Sequence, residues 1–357
     1  MDIEKRIDLV RQVGEEILTE EDLRNLFQTK SKPIAYDGFE PSGRIHIAQG
    51  LLRAINVNKM TEAGCHFKMW VADWFGWMNN KMGGDLEKIQ AVGKYFIEVW
   101  KASGMNTDKV DFVWSKDAMA NDEYWKMVIR IAKMNSVDRI KRCAQIMGRS
   151  ETETLSGAQI FYPCMQCTDI FYLKADITQL GMDQRKVNVL AREVGPSLGF
   201  WKPVVVSHHM LMGLQTPPQG ELSAEERTTA MKMSKSKPDT AIFMDDTEED
   251  IKRKITNAYC PPKQIEENPI LEYCKYILFE KFKTLEIERP KKFGSNLDIA
   301  SYTELEKIYR EGKLHPMDLK NTVAIKINEL IIPVRKYFEK PSLKKMKEEI
   351  EGLKVTR

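Results

Sequence analysis

The chain has 357 residues, 42% of them hydrophobic and 30% charged, with a formal net charge of +3; this balance excludes a disordered or low-complexity chain and leaves room for about two domains around a large core. A net charge so small does not single out a polyanionic partner, so phosphate or nucleic-acid binding must come from local patches. Six scattered cysteines form no disulfide framework and favour a reducing compartment. The Met1 end opens on charged residues, so no signal peptide is expected, and no run approaches the ~20 apolar residues of a membrane span.

Apolar residues at Ile3, Ile7, Val10, Val13, Ile17 and Leu18 recur at helical spacing and predict an amphipathic helix. Thr19 followed by Asp22 predicts the start of a second, short helix. Residues 1–32 are thus expected to form a helical arm, ended by Ser31-Lys32-Pro33. From Pro33 onward short apolar runs alternate with longer amphipathic stretches. Strands are predicted at 34–39, 67–72, 110–114 and 204–207, and helices at 47–63, 86–103, 122–148 and 164–173. That alternation predicts parallel βαβ units and a doubly wound α/β sheet over 33–244. Ligands of such sheets sit beyond the carboxyl ends of the strands.

At the end of the first predicted strand, Gly38-Phe39-Glu40-Pro41-Ser42-Gly43-Arg44-Ile45-His46-Ile47-Ala48-Gln49-Gly50 passes through a Pro/Gly turn into a helix beginning near His46. Small residues admit a ligand close to the backbone, and a helix start offers amide donors and positive potential to phosphate. His46 and Gln49, three apart, share one helical face. A histidine at a helix start also serves as a plain cap or surface residue; its place inside a small-residue turn after a strand favours the ligand role. A second phosphate-facing signal lies far downstream. Met231-Lys232-Met233-Ser234-Lys235-Ser236-Lys237, between a polar run at 221–229 and an apolar strand predicted at 240–244, reads as a mobile loop over 231–237 that offers ammonium groups to a polyanion. A solvated basic loop has the same composition. The two signals together favour a nucleotide.

Between them, Tyr162, Gln166 and Asp169 fall on one stripe of a helix otherwise made of Phe, Ile, Met and Cys. A water-facing stripe is the alternative, but buried polar groups in such surroundings need a polar partner, which a substrate can supply. Gly181-Met182-Asp183-Gln184-Arg185 has the form of a strand-end turn into another helix. Cys164 and Cys167 form a CxxC, yet a structural zinc needs four ligands, no second pair is suitably spaced, and the adjacent His208 and His209 diverge. Packing is expected of these cysteines, and no protein-bound metal.

Beyond the lysine loop, Thr247 and Asp250 start a helix that Cys260-Pro261-Pro262 stops, and helices are predicted at 269–279, 302–311 and 317–338. Residues 245–357 should form a mostly helical second domain. In it Arg289, Lys291, Lys292, Lys313 and Lys320 lie near Phe293 and His315. Basic residues interleaved with rings suit single-stranded RNA, although an ordinary solvated helix face has the same make-up.

The turn at 38–50 and the loop at 231–237 resemble the two signature sequences of the class I aminoacyl-tRNA synthetases. The second box, Lys232-Met233-Ser234-Lys235-Ser236, matches letter for letter. The first departs from the commonest form, with Ala48 where that form has Gly and Gln49 where it has His. With Tyr36, Tyr162 to Tyr172 and Gly181 to Lys186, the likeness extends over almost the whole chain to tyrosyl-tRNA synthetases of the archaeal and eukaryotic cytoplasmic type. The resemblance implies a Rossmann-like catalytic domain, with an insert at about 115–160 as dimer interface, and a C-terminal helical anticodon-binding domain. It implies ATP as co-substrate with Mg²⁺ on its phosphates, L-tyrosine and tRNA(Tyr) as partners, a cytoplasmic homodimer, and no membrane association. Tyr36 and Asp169 would hydrogen-bond the substrate phenol, and Tyr162, Gln166 and Gln184 would hold its amino and carboxylate ends. A site built to pair a hydroxyl leaves its own groups unpaired when phenylalanine enters, a rule this family is itself used to illustrate. Asp183 would accept from the adenosine ribose. Gly38, Gly43, His46, Gln49, Lys232, Ser234 and Lys235 would meet the nucleotide, with His46, Lys232 and Lys235 catalytic. Lys313 to Asn321 resembles the anticodon-reading segment. There Asp318 would accept from a guanine edge between His315 and Phe293, while Arg142 and Arg185 would meet the acceptor end. Two alternatives stand beside this reading: a tryptophanyl-tRNA synthetase, disfavoured by Tyr36 and Asp169, and an RNA-binding paralogue without catalysis, disfavoured by the intact lysine loop.

Overall fold

Six strands form the central sheet: β1 (Gly14–Leu18), β2 (Ile34–Phe39), β3 (His66–Val71), β4 (Val110–Trp114), β5 (Ile177–Gly181) and β6 (Val204–His208). They lie in the order β1-β6-β5-β2-β3-β4, all parallel except β1, which runs antiparallel to β6. The computed structural model describes residues 1–147, 154–222, 224–290 and 294–353, and within them the side chains other than those of 145, 224–226 and 229. The strands read as apolar runs because helices cover both faces; Phe67, Met69, Val71, Val204, Val205 and Val206 are all buried. From β2 the chain crosses to β3 and β4 on one side, then returns to β5 and β6 on the other. The crossovers diverge between β2 and β5, and a crevice opens there beyond the carboxyl ends of both strands.

The amino-terminal segment differs from the all-helical arm expected for residues 1–32. Helix α1 (Ile3–Arg11) stops short, and Val13 to Leu18, with apolar residues that also fit a helical period, leads into β1. Ile17 and Leu18 stand opposite Val206 and Val205. Edge pairing with a strand far along the chain decides this, and local periodicity does not report it. Helix α2 (Glu20–Thr29) begins where the capping pattern placed it, with the Thr19 hydroxyl accepting from the Asp22 N–H at 3.1 Å.

The helix expected over 47–63 opens with a wide π-type turn, Ala48–Leu52, before α3 (Arg53–Glu62). Helix α4 (Leu86–Ala102) follows the sequence reading closely. The single helix expected over 122–148 is two, α5 (Asp122–Lys133) and α6 (Val137–Cys143), separated because the Ser136 hydroxyl caps the Arg139 N–H; Gly148 lies outside the described residues. Helix α7 (Gly157–Tyr172) starts seven residues before the expected 164, set by a capping box between Ser156 and Gln159. Helix α8 (Arg185–Val194) follows β5. Residues 224–229 of the polar run, with Ala230 and the first residue of the expected loop, Met231, form α9 (Ala224–Met231), and no strand forms at 240–244. There a 3-10 turn, Pro238–Thr240, leads into buried coil whose Phe243 pairs with His46 in an isolated bridge.

Beyond it run α10 (Glu248–Asn257), capped by Thr247, α11 (Pro269–Tyr273), α12 (Tyr302–Arg310), α13 (Pro316–Tyr337) and α14 (Pro341–Glu351). A small antiparallel hairpin, β7 (Leu285–Ile287) with β8 (Leu297–Ile299), interrupts them. These helices share one continuous apolar core with β2, α3 and α4. Phe338 meets Tyr95 of α4 at 5.3 Å between ring centroids. Among the described residues no helix is long and apolar enough to cross a membrane.

Candidate active site

A cavity of about 850 Å³ occupies the crevice, lined by residues of the first box, α7, the turn after β5 and the lysine loop. Tyr36, Gly38, His46, Gln49, Tyr162, Gln166, Asp169, Asp183, Gln184, Lys232, Ser234 and Lys235 all line it. Gly43 does not: its N–H points at the Met82 sulfur at 3.2 Å, and its φ of +55° makes the turn that carries Ser42 to the cavity wall.

At the inner end, Tyr36 and Asp169 are 1% and 0% exposed. The Asp169 Oδ1 accepts from the Tyr124 hydroxyl at 2.7 Å, while Oδ2 is buried without a well-aligned hydrogen bond and the Trp70 indole N–H is the donor beside the carboxyl. Burial pushes the Asp169 carboxyl well above the ordinary carboxylate range. Burial, with the Asp169 charge adding to it, likewise raises the Tyr36 phenol. Around them stand Trp70 and Phe75. This end therefore offers an apolar slot that terminates in the Asp169 carboxyl, the Trp70 indole N–H and the Tyr36 phenol. A little further out, the Tyr162 hydroxyl donates to Glu40 Oε1 at 2.6 Å, where Asn79 also donates at 2.5 Å. The Gln166 amide donates to Gln184 Oε1 at 2.9 Å, and Gln184 donates to the Ile146 carbonyl at 3.0 Å.

The outer end is cationic. His46 is buried with its Nδ1 unpaired; burial, then the charges of Lys235, Arg53 and Lys232, hold its imidazole well below the usual histidine range, so the ring is neutral near pH 7. Fewer backbone amides are free here than a helix start suggests. The Ile47 N–H donates to the Ile242 carbonyl, and Gln49 and Gly50 N–H both donate to the His46 carbonyl. The wide turn that spends them needs Gly50, since a Cβ there would lie 2.5 Å from the Met244 sulfur. Gln49 keeps a buried, unpaired Oε1. Lys235 folds back over the turn and donates to the Ser42 carbonyl and, at 3.1 Å, to its hydroxyl; burial, then Lys81 and Arg53, depress its ammonium. Ser234 and Ser236 join hydroxyls at 2.9 Å, and Lys232 stands 3.9 Å from Asp183.

The model for class I tRNA synthetases of the tryptophan and tyrosine group matches residues 28–331. A cytoplasmic tyrosine–tRNA ligase of Arabidopsis thaliana is 52% identical over 360 residues, 100% of this chain and 90% of its own. The chain belongs to the tyrosyl-tRNA synthetase family. A tyrosine–tRNA ligase of Thermococcus kodakarensis is 43% identical across the whole of both chains. The crystal structure of the tyrosyl-tRNA synthetase from Pyrococcus horikoshii, complexed with L-tyrosine, aligns with a TM-score of 0.91 at 40% identity, covering 98% of this chain and 100% of that one. A tryptophanyl-tRNA synthetase from Encephalitozoon cuniculi, at 16% identity and a TM-score of 0.69, shares the fold alone.

Sequence reasoning missed three groups in or next to this synthetase's cavity. Glu40 sits inside the first box, where a lone carboxylate among small residues was the available signal. Asp37 and Arg53 form a buried pair at 2.8 Å, and burial pushes the Asp37 carboxyl up to about 6. Tyr124 comes from α5, and only the packing of α5 on α7 brings it to Asp169. The residues expected to meet tRNA lie elsewhere. Arg142 is exposed on α6, and Arg185 pairs with Glu16 at 2.7 Å. His315 caps α13 by accepting from the Met317 N–H at 3.2 Å. Asp318, 9% exposed, lies in the same turn; Phe293 lies outside the described residues.

Proposed function

We propose that the chain is a tyrosine–tRNA ligase that activates L-tyrosine with ATP and transfers it to tRNA(Tyr). The observation that carries this is the single cavity joining a phenol-sized inner end, closed by the Asp169 carboxyl, to an outer end walled by Lys232 and Lys235. The substrate phenol sits between Asp169 and Tyr36. Its ammonium and carboxylate lie against Tyr162, Gln166, Gln184 and Glu40, and Asp183 accepts from the ribose. A tyrosine carboxylate oxygen attacks the α-phosphorus of ATP, the bond to the bridging oxygen breaks, and pyrophosphate leaves. No proton has to move in that step, so the protein's work is positioning and charge stabilisation.

His46 and Gln49 meet the phosphates from one side, with Gly38 allowing the approach; Lys232, Ser234 and Lys235 close from the other. Lys235 exchanges its contacts with Ser42 for the leaving phosphates. Burial and the neighbouring Lys81 and Arg53 disfavour its charged form, and an anionic phosphate beside it would restore that charge. Among the described residues no three His, Cys, Asp or Glu side chains converge on a metal position. At the outer end Lys232 and Lys235 face the phosphates, and Mg²⁺ carried by the nucleotide would shield the pyrophosphate charge beside them. In the second step a hydroxyl of the terminal tRNA ribose attacks the carbonyl of the mixed anhydride, and AMP leaves.

Residues 245–357 read the anticodon, with Asp318 accepting from a base edge beside His315 and Phe293, while Arg142 and Arg185 meet the acceptor end. Two copies associate through the insert at 115–160: Ile129 on α5, Met134 just beyond its end and Val137 at the start of α6 are 46%, 44% and 58% exposed, apolar surface suited to a second subunit. The setting is the cytoplasm, as named for the plant relative. Amino-acid-dependent ATP–pyrophosphate exchange tests the reading. Exchange with tyrosine is the expected result; exchange with tryptophan alone, or none, overturns it.

A further inference from the structure

A loop can close on a nucleotide reproducibly only if both its ends are held. Here both ends of the lysine loop are anchored on one short segment, 209–215. The Gly213 N–H donates to the Met231 carbonyl at 2.7 Å, and the Leu214 N–H donates to the Thr240 carbonyl at 3.0 Å. Met212 pairs with Lys232 in an antiparallel bridge, and the Gln215 side-chain amide donates to the Ala230 and Met231 carbonyls at 3.1 and 3.0 Å. Contact is close enough that a Cβ at Gly213 would lie 2.8 Å from the Thr240 carbonyl oxygen. The segment is thus a platform, and the loop moves only as the platform allows.

The platform is held from the far side by α11. The Tyr273 hydroxyl, fully buried, donates to the Met212 carbonyl at 3.0 Å, and Glu272 Oε2 accepts from the Met212 N–H at 2.9 Å. Both backbone groups of Met212, itself 3% exposed, are therefore satisfied by side chains of one helix beyond the loop. His209 completes the brace. It stands 3.0 Å from Glu272 Oε2 and 3.3 Å from Glu15 of β1, and it stacks on Tyr276 at 4.2 Å with the rings 9° apart. Burial works against its charge, but the hydrogen bonds to Glu15 and Glu272 raise it to about 9, so a cation joins the two carboxylates at neutral pH. Neither Glu272 nor Tyr273 lines the cavity.

We propose that Glu272 and Tyr273 are positioning residues for the activation step: by clamping both polar groups of Met212 they fix the platform from which Lys232 and Lys235 reach the nucleotide. The proposal rests on the reading of the lysine loop as the ATP-closing element. It assigns α11, in the C-terminal helical part, a direct hold on catalytic loop geometry. A buried backbone group that loses its partner relaxes or rehydrates. Displacing a charge-stabilising group by even about 1 Å costs rate without touching the amino-acid pocket.

The test compares Tyr273→Phe with wild type in the full chain. Tyrosine-dependent exchange should fall about tenfold in kcat, while KM for tyrosine stays within about twofold. Tryptic cleavage after Lys232 and Lys235 should quicken, with weaker protection by ATP. Glu272→Ala should behave alike, whereas Glu272→Gln, which still accepts from the Met212 N–H, should retain most of the rate. A Tyr273→Phe enzyme with wild-type kcat and wild-type cleavage overturns the proposal, as does a variant that loses tyrosine affinity and kcat together. Absence of exchange in the wild type would instead sink the ligase reading.

Discussion

Selectivity against phenylalanine should depend on Asp169. Asp169 Oδ1 accepts from the Tyr124 hydroxyl, and on the proposed reading the phenol of tyrosine would donate to Oδ2, which phenylalanine cannot do. Phenylalanine strands two buried groups, Asp169 Oδ2 and the Tyr36 hydroxyl. At about 1–3 kcal/mol for each, the wild-type preference for tyrosine should be roughly 2–6 kcal/mol, or about 30-fold to about 10⁴-fold in kcat/KM. Asp169→Ala removes one of the two, so the preference should drop by about 1–3 kcal/mol, roughly 5- to 150-fold. Tyr124 loses its closer acceptor in that variant but keeps the Met165 carbonyl at 3.3 Å. Asp169→Asn is the companion control. Burial favours the uncharged form of this carboxyl, so the amide should fold as well as the parent and, still able to donate to the phenol oxygen, should lose less selectivity than the alanine variant. Competitive pyrophosphate exchange with tyrosine and phenylalanine reads the ratio directly. An unchanged ratio in both variants would refute the phenol role.

Lys235→Ala should slow adenylate formation by roughly 10²-fold or more in rapid-quench experiments, because it removes a preorganised charge at the leaving phosphates; normal activation would reduce the loop to surface charge. Asp318→Ala should lower kcat/KM for tRNA charging by roughly 10- to 150-fold and leave pyrophosphate exchange alone, and an equal loss in both assays would count against a base-edge role. Ile129→Glu combined with Val137→Glu should convert a dimer to monomers in analytical ultracentrifugation; an unaltered sedimentation coefficient would place the interface elsewhere. His209 gives a pH prediction. Its folded pKa, raised from 6.5 to about 9, means that its contribution is fully present below pH 6.5 and is lost as pH rises through 9. The stability difference between wild type and His209→Gln should therefore shrink by about 3 kcal/mol between pH 6 and pH 10 in chemical denaturation, and a pH-independent difference would show that no titrating cation holds Glu15 and Glu272.

Local chemistry determined much of this molecule. β2 and β4 begin and end where apolar runs begin and end, and α2 and α10 start at Thr19 and Thr247 because a hydroxyl followed by an acid three residues on satisfies a helix start with no help from the rest of the chain. The lysine loop and the small-residue turn were legible for a related reason: phosphate chemistry needs particular residue types close together along the chain. What the tertiary structure decided was pairing across distance. Val13 to Leu18 carries a pattern that fits helix or strand, and the free edge of β6 settled it. The break at Ser136 is a local cap that the periodicity of 122–148 masked, whereas the coil at 240–244, with Phe243 buried and bridged to His46, was set by packing rather than propensity. In the site, Tyr124 reaches Asp169, Tyr162 reaches Glu40, and Tyr273 reaches Met212 across separations that no spacing rule records. Periodicity tells which face of an element is buried, but only the assembled fold tells against what, and the orientation of the Asp169 carboxylate and the footing of the lysine loop both depend on that second fact.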